Sequence, residues 1–382
     1  MNRLLNGISA SATVSFNNLA KKLKEEGKDI VSLAGGDPDF ETPERIRDAL
    51  ASAVEAGHTH YCDSRGIVPL RERIVRKLKE ENGISCAPEN ILVTPGAKYA
   101  VFLAIMSICS SGDEVLIPQP SWVSYETMTR LAGAVPVGLR LSMEDNYLIT
   151  EEKLESHISP RTKLLIINSP NNPTGRVMTA EEWKAVRNVV KKHDLYLISD
   201  EVYEKIIFDG RKNISPAAFE DIRQKTITIN SFSKSYAMTG WRIGYMCAPR
   251  VVTEPCYLQL THEISCVNEF VQYAALEAFN CEKESLEMRR EYEWRRDYLL
   301  KELSSLNGFT VMKPEGAFYL WVRIERENMN SQALAMWLLE KAGVVTVPGE
   351  AFGKGSKNCV RFCFACSRSD LEEAVRSIKE CI

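Results

Sequence analysis

The sequence predicts an α/β protein. A large domain built on a mostly parallel central sheet flanked by helices is followed by a smaller α+β domain. Three observations lead there. The chain has 382 residues, which at roughly 100–200 residues per domain suits two domains. Its middle alternates short β-rich runs with helical patterns, and strand, helix, strand in that rhythm builds a parallel sheet covered on both faces. After residue 280 the pattern changes to a long charged helical stretch and then hairpin-like strands.

Taken in order, residues 1–45 form a segment punctuated by Gly and Pro (LAGGDPDFETPE), expected to pack on the small domain or on a dimer partner. Residues 46–280 are expected to be the large domain and 281–382 the small one. Ile91–Thr94 reads as a strand, followed by a Pro-Gly turn and an apolar helical stretch from Lys98. Glu114–Pro118 and Lys163–Asn168 read as further strands. Thr179 with Glu182 three residues on opens a helix as a capping box. Trp183, Val186, Val189 and Val190 share one face of that helix. Leu195–Ser199 and Thr226–Asn230 complete the strand series. In the last part, strands are expected over Thr310–Met312, Ala317–Val322 and Val360–Ala365. Helices are expected around Gln332–Lys341 and from Asp370.

Composition narrows the function. The apolar fraction is 45% and the charged fraction 26%, ordinary for a globular protein and unlike a disordered chain. Lys+Arg total 48 and Asp+Glu 51, a formal charge of 48 − 51 = −3. A near-neutral chain lacks the basic footprint of a nucleic-acid binder or a membrane-surface protein. The most apolar stretch, Val101–Cys109, falls far short of the ~20 residues of a spanning helix. The N-terminus has no continuous apolar run of the signal-peptide kind, so the expected location is cytoplasmic.

The eleven cysteines are scattered and odd in number, unlike a disulfide scaffold. Cys363 and Cys366 form a C-x-x-C. If both lie on one strand, a spacing of three puts them on opposite faces. No second ligand pair of recognisable spacing accompanies them, so no metal site is expected.

Chemistry appears where the proposed strands end, which is where ligands bind in open α/β sheets. After the first comes Pro95-Gly96-Ala97-Lys98 at a helix start, suited to a phosphate. Later strands are followed by Asn172, in SPNNPTG, by Asp200 and Tyr203, and by Ser231, Ser233 and Lys234, with Arg242 eight residues on. Singly, each has a plain structural reading: a turn, a cap, a solvated lysine. In order, and always after a strand, they form a far more specific set.

With this set of residues, the chain resembles a fold-type I pyridoxal-phosphate enzyme of the class I/II aminotransferase family, in its aspartate and aromatic aminotransferase-like subgroup. The likeness runs through LAGGDPDF, HYCDSRGIVPLRE, PSWVSYE, NSPNNPTG, SDEVYE, SFSKSYAMTGWRIGY, PEGAFYLW and VRFCFACS. It implies pyridoxal 5'-phosphate as cofactor, with Lys234 as the Schiff-base lysine. By the same resemblance, Asp200 pairs with the ring nitrogen, and Tyr203 and Asn172 bond the ring's phenolic oxygen. Trp122 stacks on the ring. Ser231, Arg242 and the backbone at Gly96, Ala97 and Lys98 hold the phosphate. Tyr61 reaches the phosphate of a neighbouring subunit, which implies a homodimer. Arg361 takes the substrate's α-carboxylate, helped by Asn172, Trp122 and the backbone at Gly36.

The implied reaction is transamination between an L-amino acid and a 2-oxo acid, in two halves through the pyridoxamine form. YAVFLAIMSICS, the helix after the phosphate turn, has no Lys or Arg, which counts against a cation there reading a second carboxylate. Carbon–sulfur β-lyases and aminocyclopropane-carboxylate synthases share most of these residues and stand as alternatives. A regulator keeping this fold would need a basic DNA-binding segment before it, and the pattern begins too early for one. A nicotinamide dehydrogenase would need a G-x-G-x-x-G at its first strand–helix turn, and none is there.

Overall fold

A computed structural model of the chain describes residues 5, 8 and 10–382. β1 (Val31–Ser32) is a short strand near the start. The central sheet holds β2 (Ile91–Thr94), β3 (Glu114–Gln119), β4 (Val135–Arg140), β5 (Thr162–Asn168), β6 (Tyr196–Asp200), β7 (Thr226–Ser231) and β8 (Gly244–Cys247). Their order across the sheet is β2-β8-β7-β6-β5-β3-β4. β8 runs antiparallel to both its neighbours, and the other six share one direction. The inner strands are nearly continuous Val, Ile and Leu because helices cover both faces.

Two of these strands carry a weak sequence signal. β4 lies at the edge, is largely exposed, and contains Pro136 and Gly138, residues that edge strands tolerate. β8 has only four residues, and its sequence, GYMC, carries no alternation because every one is buried. The capping box is as expected: Thr179 accepts from the Glu182 amide, and the helix Ala180–Lys192 buries Trp183, Val186, Val189 and Val190.

The C-terminal part adds β9 (Phe309–Met312), β10 (Tyr319–Ile324), β11 (Val344–Val345), β12 (Val347–Pro348) and β13 (Cys359–Cys363). Four of them make an antiparallel sheet ordered β12-β13-β10-β9, and β1 pairs in parallel with β11. The long helix before them is Glu282–Ser304.

Most strand limits fall within one residue of the sequence expectation, and β10 and β13 depart by two. β10 starts at Tyr319 rather than Ala317, because Ala317 sits in the left-handed region at φ 57°. β13 ends at Cys363, so Cys366 lies beyond the strand and the alternating-face argument does not reach it. Both thiols are buried, and burial pushes both up in pKa, Cys363 to about 11. No cluster of three metal-binding side chains occurs among the described residues. Nor is any described helix long and apolar enough to cross a membrane.

A buried polar network braces the turn that follows β6. Lys77, on the helix Val68–Asn82, is 2% exposed and pairs with Glu204. It also donates to Asn82 Oδ1 at 2.7 Å, and Asn82 Nδ2 donates to Glu204 at 2.7 Å. Glu201, fully buried, accepts from Asn213 at 2.6 Å, from Ser199 at 3.0 Å and from Ser215. Lys77 pairs directly with Glu204, while Glu201 is held by neutral donors. Burial and then the Glu204 charge raise Glu201 to about 7.

Lys77→Met should lower unfolding free energy by about 3–5 kcal/mol, the cost of stranding a buried charge. Urea unfolding reads this directly. A loss within the roughly 0.5 kcal/mol typical of a surface change would show the pair to be dispensable.

Candidate active site

Because β2, β3, β5, β6 and β7 point the same way, the residues after them gather at one sheet edge. β8 runs the other way, so Arg242, just before it, arrives at that same edge. A cavity of about 450 Å³ opens there. It is lined by Gly36, Ala97, Lys98, Trp122, Asn172, Asp200, Tyr203, Ser231, Lys234, Arg242 and Arg361. All of these are residues that the sequence reading names.

Gly96 lies beside the cavity as N-cap of the helix Ala97–Ile108, at φ 83°. A Cβ there would stand 2.5 Å from the tip of Arg242, and the positive φ is what calls for glycine. Tyr61 does not line this cavity and is 87% exposed.

Several lining or supporting residues were not singled out from sequence. Tyr125 is 1% exposed and donates to Asp200 Oδ2 at 2.6 Å. Tyr319 bonds Tyr203, hydroxyl to hydroxyl, at 2.8 Å. Asn168 Oδ1 accepts from the Asn172 amide at 2.8 Å. Thr13 also lines the wall, and its buried Oγ1 has no partner among the described residues. Tyr125 and Tyr319 lie within PSWVSYE and PEGAFYLW. Their identity was legible, but their partners are 75 and 116 residues away.

Lys234 Nζ donates to the Gly36 carbonyl. Lost hydration in the cavity wall pulls its ammonium down to about 8. Asp200 moves the other way. Burial lifts it to about 6 despite the Tyr125 hydrogen bond and the Val202 amide, which lower it.

Arg361 is 1% exposed. Its Nη1 donates to Asn172 Oδ1 at 3.0 Å, and its Nη2 to the carbonyls of Ala34 and Gly35 at 2.8 and 2.9 Å. Its Nε has no partner. Among the described residues no carboxylate forms an ion pair with Arg361, Arg242, Lys234 or Lys98.

Ser231 Oγ donates to Ser233 Oγ at 2.8 Å and accepts from the Ser233 amide at 3.1 Å. Arg242 sits at φ 55°, an uncommon conformation for a side-chain-bearing residue, and donates to the Thr239 carbonyl at 2.7 Å. Lys98 Nζ stands 5.1 Å from the centre of the Trp122 ring. Trp122 meets Tyr125 edge-on at 5.3 Å. The wall thus carries four cations and one carboxylate, Asp200. Chemically, such a wall suits anions, with the Lys234 amine, pulled down to about 8, among its cations.

The profile of the family described as Aminotransferase class I and II matches residues 28–378. An aspartate aminotransferase of Musicola paradisiaca (strain Ech703) is 40% identical over 378 residues, covering 98% of this chain and 94% of that protein. An aromatic-amino-acid aminotransferase 2 of Thermococcus litoralis is 40% identical over 350 residues, 91% of this chain and 90% of its own. Among solved structures, the Thermus thermophilus aspartate aminotransferase with maleate aligns with a TM-score of 0.95 at 38% identity, covering 100% of this chain and 99% of that one.

The raised Asp200 carries a pH signature. A carboxyl whose folded pKa exceeds its unfolded value adds stability at low pH and loses it as pH rises through the folded pKa. Ligand-free protein should therefore lose on the order of 3 kcal/mol from this group between about pH 4 and pH 7. Asp200→Asn should flatten that slope in denaturant titrations across the range. An unchanged slope in the variant would mean that Asp200 ionises at its ordinary pKa.

Proposed function

The chain belongs to the class I and II aminotransferases, and on that premise we propose that the cavity binds pyridoxal 5'-phosphate and acts on an aspartate-type amino acid. The reaction class is amino-group transfer between an L-amino acid and a 2-oxo acid. One observation carries the site reading: a guanidinium only 1% exposed, with no counter-ion among the described residues, shares a cavity with a lysine pulled down to about 8.

The donor set fits the cofactor. Arg242, Ser231 and the free N–H groups at the start of Ala97–Ile108 suit a phosphate. The Trp122 face suits an aromatic ring. Asp200, lifted to about 6 by burial, suits a protonated ring nitrogen, whose charge would bring it back down. Asn172 and Tyr203 suit a phenolic oxygen. When bound, the cofactor supplies an electron sink for the pair left on the substrate's α-carbon.

The protein's own residues do the rest. Arg361, with its Nε–H and one Nη1–H uncommitted, takes the α-carboxylate and so fixes the α-carbon. Lys234 supplies the amine that attaches the cofactor. Once free, its Nζ takes the α-proton as general base, a task suited to a pKa near working pH. Tyr61, exposed on its own chain, is read as a contributor to the site of a second subunit, which makes a homodimer the working form.

Substrate choice follows from what remains. The helix YAVFLAIMSICS has no cation, but Lys98, just before it, stands on the wall. Across from the sheet edge, the helix Ala12–Glu25 has no side-chain N-cap and no acidic residue in its first turn. Its positive dipole end and the Thr13 hydroxyl, which has no partner among the described residues, therefore also suit an anion. A phosphate, an α-carboxylate and a second carboxylate would together balance the wall.

Borohydride reduction of cofactor-loaded protein should add one cofactor mass to the peptide holding Lys234, and Lys234→Ala should lose both the adduct and turnover. Near-normal turnover by that variant would end the assignment. Lys98→Ala should raise KM for aspartate by about 10–100-fold, the worth of one charge-assisted contact, and change KM for phenylalanine little. Equal changes for both would refute the second-carboxylate reading.

A further inference from the structure

We propose that Tyr319 is a positioning residue that acts through Tyr203, donating a hydrogen bond that strengthens Tyr203 as a donor to the cofactor's phenolic oxygen. The inference rests on the cofactor reading above and deepens it.

Tyr319 opens β10 and lies opposite Cys363 of β13, while its neighbour in register, Trp321, lies opposite Arg361. It is 1% exposed, and its hydroxyl meets the Tyr203 hydroxyl at 2.8 Å. The two rings stand edge to face at 5.8 Å. A Cβ on Gly36 would come within 3.0 Å of the Tyr319 oxygen. The hydroxyl thus occupies space that the main chain leaves free.

Packing alone would not need that oxygen. Phenylalanine fills the same volume, and a buried hydroxyl without a partner would be costly.

The proton count sets the direction. Each phenol carries one proton, and burial holds both in that state: Tyr203 is raised well above its usual range and Tyr319 to about 12. If Tyr203 gives its proton to an outside acceptor, the bond between the tyrosines must be donated by Tyr319. Chained hydrogen bonds polarise one another, so Tyr203 then donates more strongly. The Arg361 guanidinium lies 4.2 Å over the Tyr319 ring and makes its hydroxyl a better donor. The arginine read as the α-carboxylate clamp is thereby joined to the cofactor's oxygen through two tyrosines, beside its direct bond to Asn172.

The test is a pH titration of the visible absorbance band in cofactor-loaded protein. Tyr319→Phe should raise the midpoint by about 0.1–0.7 pH unit, the size expected when a tenth to a third of a charge-assisted bond is lost. The thermal midpoint should stay near the parent's. In a Tyr203→Phe background the same substitution should move the band no further, since Tyr319 acts through Tyr203. With a normal parental band, an unchanged or lowered midpoint in Tyr319→Phe would overturn the proposal, as would an equal shift in the Tyr203→Phe background. A parent protein that develops no band would overturn the cofactor reading and the tyrosine chain with it.

Discussion

Five strands of the central sheet run in one direction and are buried on both faces, so their C-terminal ends share a single edge. The backbone at that edge leaves the sheet with unpaired groups, and the next residues of each strand have nowhere to go but the crevice. β2 delivers a helix start, β3 an aromatic wall, β5 an amide, β6 a carboxyl and a phenol, and β7 a hydroxyl and an amine. The reversed β8 then brings in Arg242 from its opposite end. The cavity follows from sheet polarity before any side-chain contact is considered.

A second constraint is the chain segment Leu33–Gly36. Its carbonyls take the Cys363 amide, both Nη2 contacts of Arg361 and the Lys234 ammonium in turn. This stretch stitches β13 of the C-terminal sheet to the lysine that follows β7. Small residues at Ala34, Gly35 and Gly36 let two cations reach main-chain oxygens. Arg361 is held in place before any ligand arrives, while its Nε has no partner among the described residues. Such preorganisation lowers the ordering cost at the moment of binding.

The wall is also an electrostatic compromise. Four cations face one acid, and that acid is itself lifted by burial. A stability-optimised core would pair these charges or remove them. Leaving them unpaired costs the empty protein and favours anionic ligands, the usual trade between stability and activity. The second buried network, Lys77 with Glu204 and Glu201, is by contrast internally partnered and stays outside the cavity. It braces from behind the turn that carries Tyr203.

By itself, the sequence determined most of the architecture and the cast of the site. Strong periodicity and turn chemistry marked β2, β3, β5, β6 and β7, and the capped helix after Thr179, because local pattern and burial agree there. The residues that follow those strands were legible for the same reason. What tertiary structure decided was pairing across distance. Only the fold brings Tyr125 to Asp200, Tyr319 to Tyr203, Arg361 to Asn172 and Lys98 to the cavity wall. It also set the polarity of β8, which sends Arg242 to the edge, and the end of β13 before Cys366. These depend on contacts between residues far apart in the chain, which strand and helix periodicity does not encode.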